Sequence, residues 1–265
     1  MSADRLNKAF DGLRARREGA LVAFVTAGDP FPDRTADVVE AVAAGGADVV
    51  ELGIPFSDPL ADGPVIQAAS LRALRGGTTP PKVLEAVAEV RARGIETPIV
   101  LMGSWNPVMQ YGPERFAEDA VHAGADGTIL TDLSPDEAQA WCSSCRERGL
   151  STVFLLAPTS TAERMRLVGS VGSGFLYCVS QTGITGVKDV VPSDLPPLVA
   201  SIREHAGGLP VCVGFGISKP EQVRAICGFA DGAVVGSSLV TLLHESRDLD
   251  AARAYIAELK AATKP

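Results

Sequence analysis

Two acidic residues, Glu51 and Asp62, lie in one short stretch of the chain. Carboxyl groups at this spacing could act together in proton transfer. Residues 49–53 (Val-Val-Glu-Leu-Gly) have the pattern of a buried strand, and three prolines occur between residues 55 and 64. Because proline lacks the N–H that helices and paired strands require, the segment after the strand is predicted to be a stiff loop. An ionised acid on an apolar strand is costly unless it is exposed, paired or used. The pattern therefore indicates a site that needs two acids.

Glu51 shares one face of its predicted strand with Val49 and Gly53, opposite to Val50 and Leu52. If that face points into an apolar interior, burial raises the pKa of the carboxyl. Such a glutamate can both give and take a proton near neutral pH, which typically contributes ~10²–10⁴ in rate. The alternative is a structural ion pair, but neither neighbouring predicted strand ends in a basic residue. Catalysis is therefore the favoured interpretation.

Other residues whose side chains could take part in catalysis are weaker candidates. Tyr177, on a later predicted strand, either offers its hydroxyl to the same site or only packs there. Asp132 either supports the site or begins a turn, and Asp29 precedes a proline in a turn cluster. Cys142 and Cys145 form a Cys-x-x-Cys within a predicted helix, with no second pair to complete a metal site. A structural role is favoured for both cysteines.

Apolar segments along the chain alternate with patterns typical of amphipathic helices. The predicted strands are Leu21–Thr26, Val49–Gly53, Pro98–Met102, Gly127–Leu130, Thr152–Leu156, Phe175–Val179, Val211–Gly214 and Gly232–Val235. The predicted helices are residues 4–18, Thr35–Ala44, Val65–Arg75, Lys82–Arg93, Pro113–Ala123 (after a loop at 103–107), Pro135–Arg148 (capped by Ser134), Thr161–Val168, Leu195–Ala206 and Lys219–Cys227 (with a Ser218–Glu221 capping box), and two that begin at Leu239 and Leu249.

The alternation fits either a doubly wound sheet or a (β/α)8 barrel. A short sequence repeat, called the sequence echo below, precedes predicted strands two, four and eight. It reads Gly-Ala-Asp at 46–48 and 124–126 and Phe-Ala-Asp at 229–231. No Gly-x-Gly-x-x-Gly follows the first strand, which removes the main support for a dinucleotide fold. We therefore predict one domain over residues 1–265, a (β/α)8 TIM barrel with an extra N-terminal helix and a short helix after strand eight.

Glycine-bearing turns follow predicted strands seven and eight, at residues 214–218 (Gly-Phe-Gly-Ile-Ser) and 236–238 (Gly-Ser-Ser). Their backbone N–H groups can approach an anion, and barrels commonly hold phosphate after these two strands. A phosphorylated ligand is therefore predicted. The loop after strand six, residues 180–195, is long for this position and has the glycines and small polar residues of a lid that closes over ligand. A disordered surface loop is the alternative.

Composition limits the classes of function. The 265 residues carry a formal net charge of −8 with no basic stripe, so nucleic acid is not expected as a partner. No apolar run reaches transmembrane length, and the N-terminus lacks the apolar core of a signal peptide. The odd count of five cysteines, without regular spacing, suits free thiols. A cytoplasmic enzyme is the simplest expectation.

Several of these segments resemble the motifs of the tryptophan synthase alpha subunit family. The resemblance rests on residues 24–30 (FVTAGDP), 51–64 (ELGIPFSDPLADGP), 183–186 (GITG), 214–218 (GFGIS) and 236–237 (GS), which occur in the family's order. The long motif at 51–64 is the most specific of them. Residues 103–107 (GSWNP), where relatives commonly have tyrosine before the asparagine, and 133–135 (LSP), where the proline is displaced, depart from the family pattern.

The resemblance implies retro-aldol cleavage of indole-3-glycerol phosphate into indole and glyceraldehyde 3-phosphate. It assigns acid–base catalysis to Glu51 and a hydrogen bond from the indole N–H to Asp62. It also implies an indole pocket and a phosphate site under a lid. The implied pocket residues are Phe24, Met102 and Tyr177, and the implied phosphate and lid residues are Thr185, Gly186, Gly216, Gly236 and Ser237.

The resemblance further implies a partner, a beta subunit that carries pyridoxal phosphate and receives indole in an αββα heterotetramer. Pro55, Asp58 and Asn106 would contribute to that contact, and no metal or organic cofactor is implied in this subunit. Two rival functions remain at this stage. One is a stand-alone indole-3-glycerol phosphate lyase, and the other is a phosphate-ligand-binding barrel that only regulates a partner. Retention of both acids speaks against the second.

Overall fold

Eight parallel strands close into a barrel in which each strand pairs with its neighbours in sequence and the last pairs with the first. The computed structural model describes residues 2–179, 191–214 and 216–264. The predicted (β/α)8 architecture is confirmed. The strands are β1 (Ala20–Thr26), β2 (Val49–Gly53), β3 (Ile99–Gly103), β4 (Gly127–Leu130), β5 (Ser151–Leu156), β6 (Leu176–Val179), β7 (Val211–Gly214) and β8 (Gly232–Val235).

Helices surround this barrel, and in the described residues none is long and apolar enough to cross a membrane. They are α1 (Ser2–Arg16), α2 (Thr35–Ala44), α3 (Pro64–Arg75), α4 (Pro80–Ala92), α5 (Trp105–Tyr111), α6 (Pro113–Ala123), α7 (Gln139–Arg148), α8 (Ala162–Val171), α9 (Leu195–His205), α10 (Pro220–Cys227), α11 (Ser237–Ser246) and α12 (Leu249–Ala261).

The strands divide their side chains between two apolar layers, as alternation along a strand requires. Val50 and Leu52 of β2 belong to the larger layer between the strands and the helices. Val49 belongs to the inner layer that fills the barrel. That inner layer also contains Leu6, Phe10 and Leu13 of α1, so α1 closes the N-terminal end of the barrel.

The Asp residues of the sequence echo hold the starts of the strands together. Each carboxylate accepts a hydrogen bond from the backbone N–H of a residue on a neighbouring strand, at 2.8 or 2.9 Å. The pairs are Asp48 with Leu21, Asp126 with Ile99, and Asp231 with Val211. Each also binds a cation, and Asp126, which is fully buried, binds both Arg5 and Arg91 at 2.8 Å. The echo thus marks structural ion pairs at the end of the barrel opposite to Glu51.

One helix was missed in the sequence. Residues 103–107 were expected to be a loop, but α5 begins at Trp105 and includes Asn106. Pro107 lies in the first turn of that helix, where proline is tolerated because its missing N–H would have no partner there. The residue that binds the first N–H group of this helix comes from another segment: Asp132 Oδ1 accepts a hydrogen bond from the Trp105 N–H at 2.6 Å.

Two predicted helix caps were also wrong. The helix predicted from Pro135 begins at Gln139, and Ser134 donates its hydroxyl to Asp136 Oδ2 at 3.1 Å instead of capping a helix. At α10 the expected capping box with Glu221 is displaced by one residue. Gln222 Oε1 accepts the N–H groups of Ser218 and Lys219 at 2.9 and 3.0 Å, which satisfies the donors that precede the helix.

Candidate active site

Glu51 lies near the C-terminal end of β2 with its side chain in the barrel interior. It is completely buried, and neither carboxyl oxygen has a hydrogen-bond partner among the described residues. Its register partners on the adjacent strands, Phe24 and Val100, offer only apolar side chains. Burial in these surroundings raises the pKa of Glu51 from 4.5 to about 8. The face that Glu51 shares with Val49 is therefore the interior one, and at neutral pH the side chain is a protonated acid.

Tyr177 of β6 faces the same interior. Burial raises the pKa of its hydroxyl well above the ordinary value, and the charges of Glu51 and Asp62 raise it further. The ring occupies space that Gly214 leaves open, because a Cβ on Gly214 would lie 2.3 Å from the Tyr177 hydroxyl oxygen. The hydroxyl is therefore a neutral group near the two acids. It fits there because Gly214 has no side chain.

Phe24, Met102 and Asp62 line one narrow cavity, and neither Glu51 nor Tyr177 is among its lining residues. Gly53 also lines it, and a Cβ there would lie 2.7 Å from the Phe24 ring, so the glycine lets this ring cover the end of β2. The structure thus brings together two of the three expected pocket residues and the second acid. The other lining residues are Ile54, Phe56, Pro59, Ile66, Ser70, Gly103, Ser104 and Thr131.

Asp62 lies in the loop between β2 and α3 and is half-buried. Burial raises the pKa of its carboxyl from the ordinary value. The side-chain amide of Gln67, on α3, donates a hydrogen bond to the Asp62 carbonyl oxygen at 2.8 Å. The backbone of Asp62 is therefore tied to the helix that follows, while its carboxylate remains on the cavity wall.

The two glycine turns meet at the same end of the barrel. Gly216 adopts a φ of +68°, a left-handed conformation that favours glycine. Gly236 precedes α11, Ser237 is its first residue, and no side chain of the described residues caps this helix. The first N–H groups of α11 therefore keep their capacity to bind an anion. Thr185 and Gly186 of the expected lid lie outside the described residues.

The residues expected at a partner contact divide into two groups. Asp58 and Asn106 are exposed, but Pro55 is buried and offers little surface to a partner. Two apolar side chains near the exposed pair are unusually open to solvent: Leu60, with 89% of its surface exposed, and Met109, with 50%. An exposed leucine in the loop that carries Asp62 was not singled out in the sequence.

Two residues around the site were not recognised in the sequence, Asp29 because its partner is distant and Thr131 although a local pattern pointed to it. Asp29 was expected to be a turn residue, yet its buried carboxylate forms a two-point ion pair with Arg72 of α3, at 2.7 and 2.8 Å. This pair fixes α3, and with it the segment after Asp62, against the loop that follows β1. Thr131 lies directly after β4 and lines the cavity, a position that strand alternation from Ile129 would have revealed.

The raised pKa of Glu51 predicts a pH dependence of stability. Between 4.5, its ordinary pKa, and about 8, the folded chain holds a proton that the unfolded chain has lost. The free energy of unfolding should therefore fall as pH rises through this range, by at most about 1.4 kcal/mol per pH unit from this group. Urea unfolding of the wild type and of Glu51→Gln, from about pH 5 to about pH 9, measures the difference.

The variant should gain stability relative to the wild type as pH rises, because glutamine has no proton to lose. Asp62, Tyr177 and Cys212, the other titratable groups that interact with Glu51 or share its interior, are present in both proteins, so their contributions largely cancel in the difference. Parallel stability curves for the two proteins over this pH range would contradict the assignment of a raised pKa to Glu51.

Comparisons with known proteins agree with this geometry. Residues 10–264 match the family described as tryptophan synthase alpha chain. The tryptophan synthase alpha chain of Geotalea uraniireducens is 48% identical, with 98% of each chain covered. A tryptophan synthase of Saccharomyces cerevisiae is 41% identical over 96% of this chain and 36% of its own length. A structure of Mycobacterium tuberculosis tryptophan synthase has a TM-score of 0.91 at 38% identity, covering 98% of each chain. The chain therefore belongs to the tryptophan synthase alpha chain family.

Proposed function

We propose that this chain cleaves indole-3-glycerol phosphate into indole and glyceraldehyde 3-phosphate as a step of tryptophan biosynthesis. The single observation that carries the proposal is Glu51, a fully buried carboxyl of β2 that has no hydrogen-bond partner among the described residues. Catalytic groups of (β/α)8 barrels lie toward the C-terminal ends of the strands. Membership of the alpha chain family supplies the substrate, and we assign the whole chain, residues 1–265, to one catalytic domain.

Glu51 would act as the general acid and base. Breaking the bond between the indole ring and the glycerol chain requires C3 of the ring to gain a proton, so that indole can leave. The same step requires loss of a proton from the glycerol hydroxyl that becomes the aldehyde. A carboxyl with a pKa of about 8 is protonated before the reaction and can still accept a proton, so both transfers suit Glu51.

Asp62 would accept the hydrogen bond of the indole N–H. Positive charge develops on the ring nitrogen when C3 is protonated, and a carboxylate held beside it stabilises that charge. The position of Asp62 on the wall of the cavity that Phe24 and Met102 line supports this role. The Tyr177 ring and hydroxyl would complete the pocket from β6, beside Glu51.

The phosphate would bind between the turns after β7 and β8, through the backbone of Gly216 and Gly236 and through Ser237. The uncapped start of α11 supports this placement, because unpaired N–H groups and the helix dipole favour an anion. Thr185 and Gly186, outside the described residues, would close over the ligand beside Asp62. Five free cysteines are consistent with a cytoplasmic location.

We also infer a beta chain as partner, with pyridoxal phosphate bound there and not in this chain, in an αββα heterotetramer. The family name implies a second chain. Asp58 and Asn106, together with the exposed side chains of Leu60 and Met109, supply polar and apolar surface for that contact.

The catalytic assignment predicts a large loss of activity in Glu51→Gln. The glutamine has nearly the same shape but cannot exchange a proton, so indole formation from indole-3-glycerol phosphate should fall by ~10²–10⁴. Glu40→Gln, at an exposed glutamate of α2, is the matched control and should retain wild-type activity. Binding of glycerol 3-phosphate should survive in both variants. Activity of Glu51→Gln equal to that of the wild type would overturn the proposal.

The partner assignment predicts that a tryptophan synthase beta chain binds this chain and increases its activity. Alanine at Asp58 and Asn106 together should weaken binding by about fivefold or more, as loss of a central contact does. Asp11→Ala, on α1 at the opposite end of the barrel, should have no effect. Calorimetric titration with the beta chain measures the affinities. If the wild type neither binds the beta chain nor gains activity, the stand-alone lyase is the better description.

A further inference from the structure

A chain of hydroxyl groups links the last helix to the two glycine turns. The Tyr255 hydroxyl, on α12, lies 2.8 Å from Ser238 Oγ and 3.1 Å from the Ser218 carbonyl oxygen. Ser238 Oγ in turn lies 2.8 Å from the carbonyl oxygen of Ile217. Ile217 and Ser218 follow Gly216 in the turn after β7. Ser238 follows Ser237 at the start of α11.

The direction of these hydrogen bonds is determined by their acceptors. The Ile217 carbonyl can only accept, so Ser238 donates its single hydroxyl proton there. The single proton of the Tyr255 hydroxyl then faces two acceptors, Ser238 Oγ at 2.8 Å and the Ser218 carbonyl oxygen at 3.1 Å. Tyr255 therefore donates either to the start of α11 or to the turn after β7, the two segments that Ser238 joins.

In the part of the chain that the structure describes, backbone hydrogen bonds do not connect the two turns. The pairing of β7 with β8 ends at Gly214 and Val234, before either turn begins. Among the described residues, no backbone hydrogen bond connects 216–218 with 236–238. The distance between the two turns is therefore fixed in part by the hydroxyls of Ser238 and Tyr255.

We propose that Tyr255 is a positioning residue for the phosphate group of the substrate, which rests on the proposed function above. It touches neither the substrate nor the reacting atoms. It keeps the backbone donors after β7 at a constant distance from those at the start of α11, so that a phosphate meets both sets without reorganisation. Donors that are held in place before binding give higher affinity than donors that must be ordered on binding.

Tyr255→Phe tests this with little disturbance of folding, because the half-buried ring and its packing remain and only the hydroxyl is lost. Tyr111→Phe is the matched control. Tyr111 is also half-buried, and its hydroxyl donates to Asp119 at 2.7 Å, away from both turns. Ser238→Ala removes the middle of the same chain of hydroxyls.

The probes are glycerol 3-phosphate, which carries the phosphate, and indole, which does not. Calorimetry should show that Tyr255→Phe weakens glycerol 3-phosphate about 3- to 10-fold, the effect of one hydrogen bond, and leaves indole unchanged. Ser238→Ala should do the same, and the double variant should be no weaker than the single ones, because both remove one connection. In the cleavage assay KM should rise while kcat stays within about twofold.

Three outcomes would overturn the inference. Wild-type affinity for glycerol 3-phosphate in Tyr255→Phe excludes positioning by the hydroxyl. An equal loss for glycerol 3-phosphate and indole means that Tyr255 supports the barrel in general. An equal loss in Tyr111→Phe has the same meaning. Failure of the wild type itself to bind glycerol 3-phosphate would instead contradict the proposed phosphate site, and with it the basis for this role of Tyr255.

Discussion

The free-energy cost of burying one carboxyl group, that of Glu51, is the constraint on which the rest of the site depends. A carboxylate in an apolar interior loses its hydration and regains nothing unless a cation or a donor is near. Glu51 has neither among the described residues, so it holds its proton to a pKa of about 8. A salt bridge at this position would have stabilised the charged form and removed the acid. Reactivity here follows from the absence of a partner.

The two ends of the barrel use acids in opposite ways. At the N-terminal ends of the strands, Asp48, Asp126 and Asp231 are bound to backbone N–H groups and to cations. Those contacts favour the charged form and join neighbouring strands, and they partly offset the burial that raises the pKa of Asp48 and Asp126. Toward the C-terminal end, neither Glu51 nor Asp62 has such a partner in the part of the chain that the structure describes, and burial raises the pKa of both. Stability and chemistry are thereby assigned to different ends of the same strands, as is usual for this fold.

The sequence predicted the strands and most of the helices from local pattern, although the caps expected at Ser134 and at Ser218–Glu221 were wrong. Strand alternation placed Glu51 on one face with Val49 and Gly53, and the structure shows that this face is the interior one. The glycine turns after β7 and β8 marked the end of the barrel at which they meet. Features that depend on contacts between distant segments were not predictable. The start of α5 depends on Asp132, the loop after β1 is bound to Arg72, and the turns are joined through Tyr255 of the last helix. In each case one partner has no local signal, because its role is fixed only when the barrel closes.

The measurement that tests the central claim most directly is an infrared titration of the Glu51 carboxyl group. The protonated-carboxyl C=O band that is present in the wild type and absent in Glu51→Gln should persist at neutral pH and disappear with a midpoint near pH 8. Asp62→Asn should retain this band, because the proton belongs to Glu51. A band that titrates near the ordinary value of 4.5, or no difference band at all, would contradict the account.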